Sequence, residues 1–294
     1  MDPTIFLVQC LNAVQYGLLL FLIASGLTLI FGILGVINLA HGALYMVGAY
    51  LIYALTPVAA TYWGGNFAVT VVVGMLLALA FGYLLEWLFF SFLYGRDHLQ
   101  QVLMTYGLII VLEELRGLAF GNDVHSVPVP QALAGPVSIA GVIDYPLYRL
   151  VVMAVCVAFS LGLYILIQKT RLGMRIRAGA DNRDMTRALG IDVPGLFRIV
   201  FAMGVMLAAV AGMLDAPSSS VFPGMGNGVL IISFVVVVIG GIGSVLGAFI
   251  AALLVGFTDT FGKVFLPDFA SVGVYLLMTV VLLWKPTGLL GGAR

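Results

Sequence analysis

Few residues in this chain could do chemistry, so their placement carries the argument. Asn38 and His41 sit in the glycine-rich stretch "FGILGVINLAHGALYMVGAY" (31–50), flanking Gly35 and Gly42. Polar side chains inside an apolar segment face a cavity or a partner, which would place Asn38, His41 and Gly42 on a route for a polar solute. The competing reading is structural: His41 hydrogen-bonds a neighbouring backbone carbonyl, and Asn38 caps the helix that begins there. Glu113, Glu114 and Arg116 lie near one end of another apolar run. Glu113 and Arg116 are three residues apart on one helical face, which predicts a rim ion pair ahead of a substrate contact.

The largest polar group is the stretch 169–198, beginning "KTRLGMRIRAGADNRDMTRALGI". It holds seven of the thirteen Lys and Arg residues: Lys169, Arg171, Arg175, Arg177, Arg183, Arg187 and Arg198. Within it the pattern predicts a helix of about two turns, N-capped by Asp181, with Asp184 three residues on as in a short-armed capping box. Gly190 can end that helix in a left-handed conformation. Met185, Ala188 and Leu189 then make one small apolar face on a charged peg, shaped for a socket. The competing reading is a charged loop that only sets membrane orientation.

No GxxxxGK[ST] phosphate loop, HExxH or GxSxG motif occurs, so the sequence offers no ATP hydrolysis, metal site or cofactor of its own. Cys10 and Cys156 lie in separate apolar runs and read as small apolar fillers.

The elements that must position these residues follow from composition. The 294 residues are 62% hydrophobic and 9% charged, and mean hydropathy is +1.16. No charged residue occurs between Asp2 and Glu86, which is longer than a soluble core sustains without a polar face. The chain therefore reads as an all-α, polytopic membrane protein forming a single domain over 1–294. Thirteen basic and thirteen acidic residues cancel, so net charge points to no nucleic-acid partner. The N-terminus lacks a basic region and a small-residue cleavage site, so the first apolar run reads as retained.

Eight hydrophobic segments are expected, at roughly 5–30, 37–56, 67–93, 99–120, 147–168, 196–215, 229–258 and 268–284. Loops rich in Lys and Arg stay cytoplasmic, which puts 169–198, Arg96, Lys285 and Arg294 inside. The 121–146 loop, with its "VPVP" stretch and Gly135-Pro136 turn, and the N-terminus with Asp2 are then outside. The loop reads as a docking surface, a cover over a vestibule, or a connector. The 229–258 run would make one helix of about 45 Å at 1.5 Å per residue, too long for a core of about 30 Å. Gly240, Gly241 and Gly243 in "GGIGSVLGA" (240–248) predict two half-helices meeting inside the bundle instead. This break resembles the one at 31–50, a pairing that suggests an inverted repeat with a substrate path at its interface. The path would run over Asn38, His41, Gly42, Gly240, Gly241 and Gly243. The remaining glycines, among thirty-six, are expected to serve close helix packing.

Five stretches, in order along nearly the whole chain, resemble one family: "GLTLIFGILGVINLAHGALYMVGAY" (26–50), "LMTYGLIIVLEEL" (103–115), "RLGMRIRAGADNRDMTRALGI" (171–191), "VIGGIGSVLGA" (238–248) and "KPTGLLGG" (285–292). They are similar to the permeases of branched-chain amino acid ABC importers, in particular the shorter, H-type subunit. The resemblance implies a bacterial inner-membrane permease that pairs with a second permease subunit. It also implies two cytoplasmic ATP-binding subunits and a periplasmic substrate-binding protein. The peg at 181–189 would be the coupling helix and the ATPase its socket. The chain departs from the pattern in the β-branched "LIISFVVVVIGG" (230–241) and in Glu113-Glu114, so the substrate stays open among branched-chain and other amino acids, urea, amides and aromatic acids. An ATPase-independent channel or secondary carrier for a small polar solute is the alternative class. Such a carrier would bury a coupling ionisable group at mid-membrane, and this sequence offers only His41 and the rim carboxylates for that role.

Overall fold

The fold is taken from a computed structural model, which describes residues 3–139, 141 and 143–291. Asp2 and Arg294, expected at the outer and inner ends, lie outside the described residues. Helix α1 runs from Pro3 to Leu29 and ends in a π turn, Ile30–Leu34. There follow α2 (His41–Tyr62), α3 (Phe67–Leu88), α4 (His98–Phe120), α5 (Leu147–Lys169), α6 (Arg171–Asp181), α7 (Arg183–Ala188), α8 (Val193–Asp215), α9 (Met225–Gly240), α10 (Val245–Phe265) and α11 (Ala270–Trp284). A two-stranded antiparallel hairpin, β1 (Pro136–Ile139) and β2 (Ile143–Pro146), lies between α4 and α5.

Seven helical stretches among the described residues are long and apolar enough to cross a membrane, and the chain is a multi-pass membrane protein. Helix α4 is as long but carries Glu113, Glu114 and Arg116, while α9 is short. Helices α1 and α8 are the central pillars, each with 83% of its most apolar window buried. Both are apolar on every side through their middle turns, and a helix segment without a polar face belongs inside a bundle. Helices α5 and α11 are peripheral.

Glycine sets the packing. Gly17 of α1 lies against Leu253 of α10, Gly26 against Gly204 of α8, and Gly48 of α2 against Ala209. A Cβ at Gly26 would come within 2.5 Å of the Gly204 carbonyl oxygen. Lipid tails are as apolar as leucine, so helices associate in a bilayer through such close backbone approach.

Three element boundaries differ from expectation. The segment 35–40 is not helical, so α2 starts at His41 rather than near 37, and it continues through Pro57 to Tyr62. A helix survives an interior proline at the loss of one backbone hydrogen bond. The long 229–258 run breaks at Gly241–Ser244, as its glycines predict, but only α9 is short; α10 is a full-length helix. Helix α6 adds a second helix to the basic stretch, ahead of the peg, and it carries Gly173 and Gly179 in its interior. Both are its buried contact points, Gly173 resting on the carbonyls of Leu166 and Ile167.

The Lys and Arg loop, the π turn, the α9–α10 turn and the C-terminal segment 285–291 gather at one end, the basic end. The hairpin, the loop before it and the 216–224 loop occupy the other, and a bridge between His125 and Val221 joins the two loops.

Candidate functional site

Helix α7 is a short, firmly capped peg, with a different cap from the one expected. Asp181 is the last residue of α6 and cannot serve as N-cap, because an N-cap needs non-helical backbone. Asn182, extended at φ −147°, takes that place, and its Oδ1 accepts from the Met185 amide at 2.9 Å. Asp184 therefore completes no capping box; it stands in the first turn, where a carboxylate favours the helix dipole. At the other end Gly190 is left-handed, at φ +80°. Its N–H donates to Arg187 O and that of Ile191 to Thr186 O, a Schellman pair. Thr186 turns inward. Met185 is 60% exposed, Leu189 73% exposed, and Ala188 is also exposed, so the expected apolar face stands free of this chain.

What ties the peg to the bundle is Arg183, a residue the sequence reading counted only as charge. Its Nη2 donates to the Leu34 carbonyl at 2.6 Å, with Ile33 O at 3.5 Å, and the guanidinium lies 5.1 Å from the Phe197 ring centre. The π turn and the left-handed Gly35 after it present these carbonyls. In the same turn, Gly32 packs so closely on Gly243 that a Cβ there would overlap the Gly243 backbone. Peg, first glycine break and second glycine break thus form one contiguous chain of contacts.

The second break is held from another side. Leu289 and Leu290 donate their N–H groups to Ile239 O (2.8 Å) and Gly240 O (3.1 Å). The C-terminal segment so satisfies carbonyls that the end of α9 leaves open. Gly241, at φ +94°, packs against Gly291 and Thr287. Of the expected path residues, Gly240 and Gly241 are thus buried against the chain's own backbone, and Gly243 is exposed beside Gly32.

Asn38, His41 and Gly42 lie deeper, where the first turn of α2 meets the first turn of α9 through Gly42 and Gly226. His41 Nε2 is 2.9 Å from Ile23 O, the expected backbone contact. A carbonyl only accepts, so Nε2 carries the proton and Nδ1 is an acceptor. Asn38 does not cap α2 as expected; its Oδ1 accepts from the Ala40 amide at 3.0 Å, shaping the entry turn, and Ala40 is the N-cap. His41 Nδ1, Asn38 Nδ2 and the Thr28 hydroxyl are buried without a hydrogen-bond partner among the described residues, as are the Tyr50 hydroxyl and Gln101 Oε1. Such atoms are costly to bury, and those of Asn38 and His41 lie at the N-terminus of α2, which packs on the N-terminal turn of α9 and favours negative charge. The structure brings Asn38, His41 and Gly42 together, and it places the glycines of the second break at the basic end, apart from them.

Two further charge contacts frame the bundle. Arg116 pairs with Glu113 at 3.4 Å and donates to Gly121 O and Asn122 Oδ1, which is the rim pair read from spacing. Glu86, 1% exposed, pairs with Arg198 at 3.2 Å and accepts from the Tyr94 hydroxyl at 2.7 Å, locking α3 to α8 at the basic end. Burial, then the hydrogen bond to Glu86, holds the Tyr94 hydroxyl far above the ordinary tyrosine range. The pair spans 112 residues, so spacing gave no hint of it. Cys156 is a buried thiol, the filler expected.

The comparisons with known proteins agree with this architecture. The family described as branched-chain amino acid transport system / permease component matches residues 9–283. The chain is 33% identical to the high-affinity branched-chain amino acid transport system permease protein BraD of Pseudomonas aeruginosa, over 97% of this chain and 96% of that protein. It is 30% identical, over the same shares, to the corresponding protein LivH of Escherichia coli K12. A more distant likeness, 34% identity over 34% of this chain and 33% of the relative, is to the ribose import permease protein RbsC of Escherichia coli. No solved structure matches. The chain belongs to the branched-chain amino acid transport system permease family, as a LivH-type member.

Proposed function

We propose that this chain is the transmembrane permease subunit of an ATP-driven importer. It moves branched-chain or related amino acids from a periplasmic binding protein across a bacterial inner membrane. The observation that carries the reading is α7: a helix capped at both ends, with Met185, Ala188 and Leu189 free outward and Arg183 latched inward to the π turn. A topology signal alone requires positive charge, whereas this helix has a rigid apolar face, which suits insertion into a groove. The basic end is then cytoplasmic and the hairpin end periplasmic. ATP is bound and hydrolysed by two partner subunits, and a second permease subunit completes the channel. The unpartnered Asn38 Nδ2 donor, just before the N-terminus of α2 where it packs on that of α9, supports a central step at which a substrate carboxylate passes once the bundle opens, and the His41 Nδ1 acceptor suits the ammonium.

The test is co-purification of the ATP-binding subunits with the tagged chain from its native operon expressed in full. Capture by the parent chain, and loss of capture with Leu189→Asp, is the expected result, since the substitution buries a carboxylate in an apolar contact. Normal capture and substrate-stimulated ATP hydrolysis with Leu189→Asp would leave α7 as a topology signal only. The alternative of an ATPase-independent channel or carrier would stand if the parent chain captured no ATP-binding subunit while still moving solute.

A further inference from the structure

Four charged side chains ring a cavity at the hairpin end, away from α7 and from both glycine breaks. The cavity is about 370 Å³, open on one side, and is bounded by α1, the first turn of α5 and the C-terminal ends of α8 and α10. Arg149 and Lys263 are its cations, Asp215 and Asp259 its anions, so the ring is neutral. Asp259 is 7% exposed and Gln15, on the same wall, 8% exposed. Ionisable groups held this way in membrane-spanning helices mark sites more often than packing.

The groups inside the ring are only partly used. Lys263 pairs with Asp259 at 2.6 Å. Asp215 accepts from the hydroxyls of Tyr45 (2.6 Å) and Ser219 (2.8 Å), both at Oδ2. Arg149 donates through Nη1 to Asn12 Oδ1 at 2.8 Å. Arg149 and Asp215 face the same cavity, yet the ion pairs found among the described residues are Arg116–Glu113, Arg198–Glu86 and Lys263–Asp259. A guanidinium presents a fork of donors suited to a carboxylate, and a carboxylate accepts readily from an ammonium.

We infer that this cavity is a receiving site for a zwitterionic α-amino acid. Its carboxylate goes to Arg149, its ammonium to Asp215, and its side chain lies along Leu19 and Val264. A neutral ring of two cations and two anions suits a ligand carrying both charges and disfavours one carrying a single charge. Tyr45 extends the consequence, because it stands one helical turn beyond His41 on α2. A ligand on Asp215 therefore acts through the Tyr45 hydrogen bond on the helix whose first turn holds the buried route. The inference rests on the amino-acid importer reading and adds the place and the charge selectivity of the first binding step.

The experiment is saturation binding of radiolabelled L-leucine and L-alanine to the full chain in nanodiscs. Competitors are 4-methylpentanoate, which lacks the ammonium, and 3-methylbutylamine, which lacks the carboxylate. Saturable binding is expected, with each single-charge competitor at least about tenfold weaker than leucine. Arg149→Gln and Asp215→Asn should each weaken leucine about tenfold or more, with Arg149→Lys intermediate. Thermal melts establish that the variants are folded; for any that is not, the competitor series on the parent chain decides. The site is overturned if neither amino acid binds saturably, if a single-charge competitor matches leucine, or if the folded variants bind as the parent does. Absent binding by a chain that still captures its ATP-binding subunits sinks this site alone. Binding retained by a chain that captures none sinks the importer reading alone.

Discussion

The two glycine breaks meet at Gly32 and Gly243, but they are held in opposite ways. The first, a π turn followed by a non-helical segment, is gripped through its carbonyls by Arg183, a side chain from the peg. The second is a tight turn whose carbonyls are taken by the backbone of residues 289 and 290 and whose Gly241 is wedged against Gly291. A grip made by one side chain can be released and remade as its helix moves; a lock made of backbone hydrogen bonds and close packing cannot. The first break is thus suited to be the moving part and the second its abutment. That difference changes what glycine substitution reports. Bulk at Gly241, which the sequence places on the path, also presses on the lock.

The comparison breaks most visibly there. Gly241→Val forces a β-branched residue to positive φ, a strain of about 1–3 kcal/mol. It also overpacks a filled contact, for about 1–3 kcal/mol more. The expected outcome is a lower yield of folded protein and a melting temperature reduced by several degrees, measured in detergent. An unchanged melt with transport abolished would return Gly241 to the route.

Arg183→Gln tests the other side. Losing a charge-assisted hydrogen bond of about 1.5–3 kcal/mol should cut ATP-coupled uptake by about tenfold or more in reconstituted vesicles. The melt should fall less than that of Gly241→Val, because Arg198 and Glu86 still hold the basic end together. Parent-like uptake in this variant would mean that motion enters the bundle elsewhere than through the π turn.

The smallest effect sharpens the peg itself. Asn182→Ala removes the true cap, worth about 0.5–2 kcal/mol of local helix stability, and should lower coupled uptake by a few fold. Asp181→Ala, outside the cap, should leave uptake within about twofold of the parent. Equal defects from the two would contradict the hydrogen bond from Met185 to Asn182.

The cap shows how closely a sequence can be read and where the reading stops. Asp and Asn are near-equal N-caps, and "ADNRDM" offers both in adjacent positions. Choosing between them requires knowing that α6 runs through Asp181, and α6 carries two interior glycines, Gly173 packed on the Leu166 and Ile167 carbonyls and Gly179 on the Leu196 side chain, contacts that only the tertiary structure shows. The Glu113–Arg116 pair was legible because helical periodicity alone brings residues three apart together. Glu86–Arg198, Tyr45–Asp215 and Arg183–Leu34 were not, since they join residues more than a hundred positions apart.

By itself the sequence determined the membrane class, the expected side of the basic loop, the break near Gly241 and the free apolar face of the peg. Each follows from local composition, charge bias or helical period, which act without a partner. Only the tertiary structure decided that the two breaks touch, that Arg183 grips one of them, and that four charges close a neutral ring at the far end. Those are meetings of distant segments, fixed by how closely glycine lets backbones approach, and no local pattern encodes them.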